Sequence, residues 1–227
     1  MNNFNLQARI YCQPIDYPEH ICLNRRIYYR TNPPLSGPHR PSWPRYGEYL
    51  YVPPQRYIHS LEHGAAVFLY HPCADAKEIE EFKSLARTCL FRHIISPSRL
   101  VQPNRPFAIL TWGCMLSMGK VDHVITRQYI KGYAIHRAPE AHNFEDGQYS
   151  RGLQRPSTIV SDRTDSLLCP SVEEKRQFFN ARSQTQQRRE LYNQYQSYRY
   201  QNNLYPNNYQ NQYYQTNLRS RNDLKKA

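Results

Sequence analysis

His59 and His63 stand four residues apart, with Glu62 between them and Gly64 directly after. On a helical turn, residues i and i+4 share one face, so the two imidazoles can address a single metal ion. The order His-x-x-Glu-His is that of inverzincins rather than of His-Glu-x-x-His proteases, and it stands here without their longer context. His39 closes a Pro- and Gly-stiffened loop and can supply a third ligand. Three imidazoles, or two and a carboxylate, suit zinc, copper or iron. We therefore expect His39, His59 and His63 to converge on zinc or copper. Glu62 is then expected behind them, accepting the outer N–H of a ligating imidazole. Two other readings compete. The same side chains can tether irregular loops, whose unpaired carbonyls need donors, or Glu62 can act as an acid–base group beside a histidine.

Sulfur offers a second set. Cys114, Met115 and Met118 form a soft-donor trio of the kind that favours Cu(I). The ordinary reading is that methionines fill a core. The other cysteines are Cys12, Cys22, Cys73, Cys89 and Cys169, and no two of the six form a Cys-x-x-Cys pair. Cys73 and Cys89 flank a helical stretch about 21 Å long at 1.5 Å per residue, whereas a disulfide needs Cα atoms within about 7 Å. Pairing each with an N-terminal cysteine, Cys12 or Cys22, is the easier geometry. Serine-type and cysteine-type nucleophile signatures and Gly-rich phosphate loops are absent, so a non-enzymatic role is preferred.

These residues need elements to position them. Ala65 to Tyr70 and Phe107 to Trp112 are continuous apolar runs bounded by Gly or Pro, as expected of buried strands. Between them, Asp75 to Phe91 places apolar residues at helical spacing, with Asp75 as cap and Glu78 three residues on. Arg92 to Ile95, Glu48 to Val52 and Ile27 to Tyr29 read as short strands, and Asp122 to Tyr133 and Glu173 to Asn180 as helices. The order predicts an α/β fold: a small mixed sheet with helices on one face, preceded by an irregular Pro-rich segment. Nine of the 17 prolines fall in the first 60 residues.

Charge and composition divide the 227-residue chain. Of the net charge of +12, residues 175–227 carry +8 and residues 1–174 carry +4. From about residue 180 the chain is rich in Asn, Gln and Tyr and poor in aliphatic residues, so it buries too little to offset its ordering entropy. Disorder is expected over 182–227. Interleaved Tyr and Arg there can stack on and neutralise single-stranded RNA. All six cysteines and nine histidines precede this tail. The start, Met-Asn-Asn-Phe-Asn-Leu-Gln, lacks the basic and apolar regions of a signal peptide and leans towards the cytoplasm, while the even cysteine count leans towards an oxidising compartment. No run approaches the roughly 20 apolar residues of a membrane span.

The block from Asn32 to Tyr70 is the most distinctive stretch. Asn32-Pro-Pro-Leu-Ser-Gly-Pro-His39, Trp43, Gly47-Glu-Tyr49 and Ile58-His-Ser-Leu-Glu-His-Gly64 resemble, in order, the signature of domain-of-unknown-function family 3105. Leu110-Thr-Trp-Gly113 and Ala138-Pro-Glu140 resemble its later motifs. Within that family, Leu69 to Cys73 and Ser84 to Leu90 resemble an animal branch that includes tumour protein p53-inducible protein 13. That resemblance implies an extracellular or secretory-pathway domain acting in growth control through protein partners, and Cys12, Cys22, Cys73 and Cys89 are the cysteines expected to stabilise it as disulfides. It implies no reaction and no small-molecule substrate.

The expected organisation is thus an extension over 1–24, the domain over 25–145, a linker with a short helix over 146–181, and the tail. Three functions follow: a non-enzymatic extracytoplasmic domain with protein partners, a metal-binding domain using His39, His59 and His63, and an RNA-associated chain acting through its tail.

Overall fold

The computed structural model describes residues 8–201, with side chains through residue 197. In chain order the elements are β1 (Arg9–Cys12), β2 (Gly47–Tyr49), α1 (Pro54–Glu62), β3 (Ala66–Tyr70), α2 (Ala76–Cys89), β4 (His93–Pro97), β5 (Phe107–Thr111), β6 (Cys114–Met118), α3 (His123–Tyr133), β7 (Leu153–Pro156) and α4 (Val172–Gln201). The strands make one open mixed sheet in the order β1-β6-β5-β3-β4-β2-β7. β4 runs parallel to β3 and β2, and the remaining neighbours are antiparallel. The α/β class is as expected from the sequence.

The two apolar runs form the centre of the sheet. In β3, Val67 and Leu69 face one layer while Ala66 and Phe68 face the other, so a run buried on both sides needs no polar alternation. Phe68, Ile95, Ile109 and Leu116 pack under α2 and α3. Val67, Leu69, Ile94 and Leu110 pack under α1 and the Pro-rich segment, which contributes Leu35 and Tyr46. Helices thus lie on both faces. Two of them cover one side, as expected, and α1 with its irregular neighbour covers the other.

Local sequence explains the helix ends. The Asp75 side chain accepts from Glu78 N at 3.0 Å and starts α2. The Glu78 carboxylate does not complete a reciprocal capping box; it accepts from Val121 N at 2.7 Å and ties α2 to the approach of α3. Asp122 caps α3 by accepting from Val124 N and Ile125 N. Pro54 begins α1, where its missing N–H costs nothing. Gly64 ends that helix at φ +84°, and a Cβ there would lie 2.9 Å from Ile135 Cα. Only glycine allows both the turn and the approach.

Several expectations change. Ile27 to Tyr29 is not a strand; the chain there is irregular, with Tyr29 donating to the Pro38 carbonyl. Residues 1–24, expected as an extension, supply edge strand β1. Residues 146–181, expected as a linker, supply β7 against β2 and the cysteine that closes a disulfide. The disulfides are Cys12–Cys114 and Cys89–Cys169, while Cys22 and Cys73 are free and exposed. The expected pairing of Cys73 and Cys89 with Cys12 or Cys22 therefore fails: Cys12 and Cys89 take Cys114 and Cys169 instead, through sheet register and chain return. Cys12 lies directly opposite Cys114 in the β1–β6 ladder. Cys114 is thus unavailable to Cu(I), and Met118 is core.

From Arg176 the described chain belongs to a second unit, the greater part of α4. The helix expected over Glu173 to Asn180 continues to Gln201, into the segment expected to lack structure. Within this unit nearly every described side chain is exposed, so no burial holds the helix. The remainder of the expected disordered tail, 202–227, lies outside the described residues. Among the described residues, no helix is long and apolar enough to cross a membrane.

Candidate metal centre

The site forms where three chain segments meet beside α1. The first two pair through their backbones: Ile21 N donates to His39 O at 2.8 Å, and His39 N donates to Glu19 O at 2.9 Å. This sets the His20 and His39 rings 5.0 Å apart, centroid to centroid. Arg40 fastens the pair to the helix. Its N–H donates to Gln55 O, and its guanidinium donates to the Ile21 and Cys22 carbonyls. α1 then places His59 with its ring 4.6 Å from both His20 and His39. Glu62 lies one turn further on, with Oε2 3.1 Å from His39 Nε2.

The hydrogen bonds fix which ring nitrogens are free. His39 Nδ1 lies 2.8 Å from the Gly37 carbonyl, and His59 Nδ1 lies 2.8 Å from the Arg40 carbonyl. A carbonyl only accepts, so each Nδ1 carries the proton and donates. In a neutral ring Nε2 then holds a bare lone pair. His39 Nε2 is fully buried and makes no aligned hydrogen bond, yet a carboxylate oxygen stands 3.1 Å away. Two lone pairs pressed together out of water are unfavourable unless a cation, either proton or metal, lies between them. Protons cannot serve all the rings. Burial, together with the charges of His39, His63 and His20, lowers the His59 pKa to about 3 despite its hydrogen bond to Arg40 O. Burial pushes the Glu62 carboxyl up, but contact with His39 and the neighbouring imidazoles outweighs it and the net shift is downward. The site therefore sets the Glu62 carboxylate, its pKa held down, beside a His59 ring held neutral by burial, the ionisation state a metal requires of both groups.

One ligand atom from each of His20, His39, His59 and Glu62 lies within 4.8 Å of the others. Tetrahedral zinc at 2.0–2.1 Å sets its donors about 3.4 Å apart. The set thus needs a contraction of roughly 1.5 Å at most, within the reach of side-chain rotation.

Of the sequence-derived trio, His39 and His59 lie together, and a Glu62 oxygen lies among their nitrogens rather than only behind them. His63 stacks on His59 at 4.8 Å and tilts against Trp43 at 4.5 Å, but its nitrogens are not among the four close atoms. The reason is helical: His63 is the C-cap residue of α1, turned towards Glu140, whose Oε2 lies 3.7 Å from Nδ1. His20 was not anticipated. It is 19 residues from His39 in an irregular stretch, and only the backbone pairing brings it in. Behind the site, buried Arg92 donates to the His63, Ala141 and Thr164 carbonyls and to Asp165. It fixes the end of α1 to β4.

A disulfide-stapled α/β domain carrying a buried His/Glu cluster is the class that fold and site define. The signature of the family described as "Protein of unknown function (DUF3105)" matches residues 20–147. The chain belongs to that family, and the matched span begins at His20 and contains all four candidate ligands. No curated protein and no solved structure matches the chain.

Proposed function

We infer that this domain binds one transition-metal ion, zinc or copper(II), through His39, His59, Glu62 and His20. The observation that carries the reading is the buried His39 Nε2, which makes no aligned hydrogen bond and stands 3.1 Å from the Glu62 carboxylate. A donor set of nitrogen and oxygen, without thiolate or thioether, suits those ions over Cu(I). The role is non-enzymatic. The two disulfides favour an oxidising, extracytoplasmic compartment. The words shared with the branch containing p53-inducible protein 13 support a part in growth control through protein partners. Metal analysis of the purified chain after exposure to zinc and to copper(II) tests the site. The expected result is one ion per chain, lost in His39→Ala and in His59→Ala with the fold retained. Equal uptake by the wild type and both variants, or none by the wild type, overturns it.

A further inference from the structure

The four candidate ligands are not held alike. His39, His59 and Glu62 are buried, and both buried imidazoles are locked by a carbonyl at Nδ1. His20 is exposed; its ring packs against the His39 and His59 rings, and among the described residues no hydrogen bond fixes either of its nitrogens. Its backbone is nevertheless pinned on both sides. Glu19 O and Ile21 N pair with His39, and Arg40 grips the Ile21 and Cys22 carbonyls. Eight residues upstream, Cys12 is bonded covalently to β6. A rotation of the side chain alone therefore takes the imidazole off the site and returns it. Exposed side chains make such rotations in picoseconds to nanoseconds when unliganded.

Resting on the metal reading above, we propose that His20 is the exchangeable ligand through which the ion is loaded and handed on. When its ring turns away, His39, His59 and Glu62 keep the ion, and one coordination position opens on the solvent side. An incoming nitrogen or thiolate donor takes that position. For zinc, one metal–nitrogen bond breaks and one metal–donor bond forms, with no change of oxidation state. The buried ligands then release in turn to the acceptor. A partner fitted to this face presents imidazole or thiolate donors on an exposed segment. A site closed by four equally locked ligands would exchange only by opening the fold, whereas this arrangement exchanges with the fold intact.

The test uses the full chain loaded with one zinc ion, mixed rapidly with a chromogenic nitrogen-donor chelator. Wild-type transfer is expected to rise in proportion to chelator concentration, the sign of an entering ligand. His20→Ala is expected to retain one zinc while transferring it at least tenfold faster, and His20→Gln to fall between. His39→Ala is expected to hold none. A wild type that binds zinc, with His20→Ala losing it as completely as His39→Ala, overturns the exchange role alone. So does a His20→Ala transfer rate equal to that of the wild type, or a wild-type rate independent of chelator. A wild type that takes up no zinc overturns both the site and its exchange.

Discussion

Asp165→Asn is the sharpest perturbation of what holds the site in place. The Asp165 carboxylate and the Arg92 side chain are 0% and 1% exposed. The carboxylate accepts from Phe91 N and Arg92 N and lies 3.3 Å from Arg92 Nε. Three more Arg92 donors go to the carbonyls of His63, Ala141 and Thr164. Asparagine keeps the shape and one acceptor. Its amide nitrogen then faces Arg92 donors, and the guanidinium is left buried without a counter-charge. Breaking a buried pair from one side costs about 3–5 kcal/mol. For a unit of this size that is a fall in melting temperature of about 6–20 °C. Urea and thermal denaturation measure it. In the double variant with Arg92→Met the loss should be less than additive by at least about 1 kcal/mol, because the second change removes the stranded charge. A single-variant loss below about 1 kcal/mol, or strict additivity, would refute the view that this pair clamps α1, β4 and the returning chain together.

Two further outcomes follow from the core. His93 is fully buried, and burial lowers its pKa from 6.5 to about 4 despite its hydrogen bond to Leu90 O. The folded state stays neutral where the unfolded chain takes up a proton, so stability is complete above pH 6.5 and declines as pH falls towards 4. The loss reaches about 3 kcal/mol. His93→Asn keeps a donor for the Leu90 carbonyl, so the stability gap between wild type and variant, measured with chelator present, should narrow by about that amount between pH 7 and pH 4; a constant gap contradicts the assignment. Replacing Cys89 and Cys169 together by serine opens a link of sequence separation 80 and should cost about 2–4 kcal/mol. Alkylation of the denatured, unreduced chain should mark Cys22 and Cys73 alone, and labelling of any other cysteine would show a different pairing.

The central elements were legible because their signals are local. Ala65 to Tyr70 and Phe107 to Trp112 carry enough apolar surface to be buried on both faces, and Asp75 and Asp122 announce the helices they cap. The edges were not. β1 is exposed along its whole length, so no hydrophobic pattern marks it as a strand. β7 is a four-residue piece with three exposed positions, held by pairing with β2 rather than by its own composition. The disulfides share this character. Cys12 meets Cys114 only through strand register, and Cys169 meets Cys89 only because the chain returns beneath α2. Sequence spacing contains neither fact.

The candidate metal centre shows the same division within a few ångströms. A helix converts spacing into geometry, so His59 and Glu62 could be placed together from sequence, and a stiff loop made His39 a reasonable third member. Yet the same helical argument pointed to His63, the C-cap residue, whose ring stacks on His59 but whose Nδ1 lies beside Glu140 while neither nitrogen joins the four close ligand atoms. What replaced it came from the least regular part of the chain. His20 reaches the site through two backbone hydrogen bonds to His39 and a guanidinium that collects neighbouring carbonyls. Pro-rich segments leave carbonyls without ladder partners, and here those carbonyls are used twice. Those of Gly37 and Arg40 fix the tautomers of the two buried imidazoles, and those of Ile21 and Cys22 anchor the strand-like stretch that brings the third. The tethering reading and the ligand reading are compatible in one set of atoms: in both buried rings Nδ1 donates to a backbone carbonyl, which leaves Nε2 as the atom that can meet a proton or a metal.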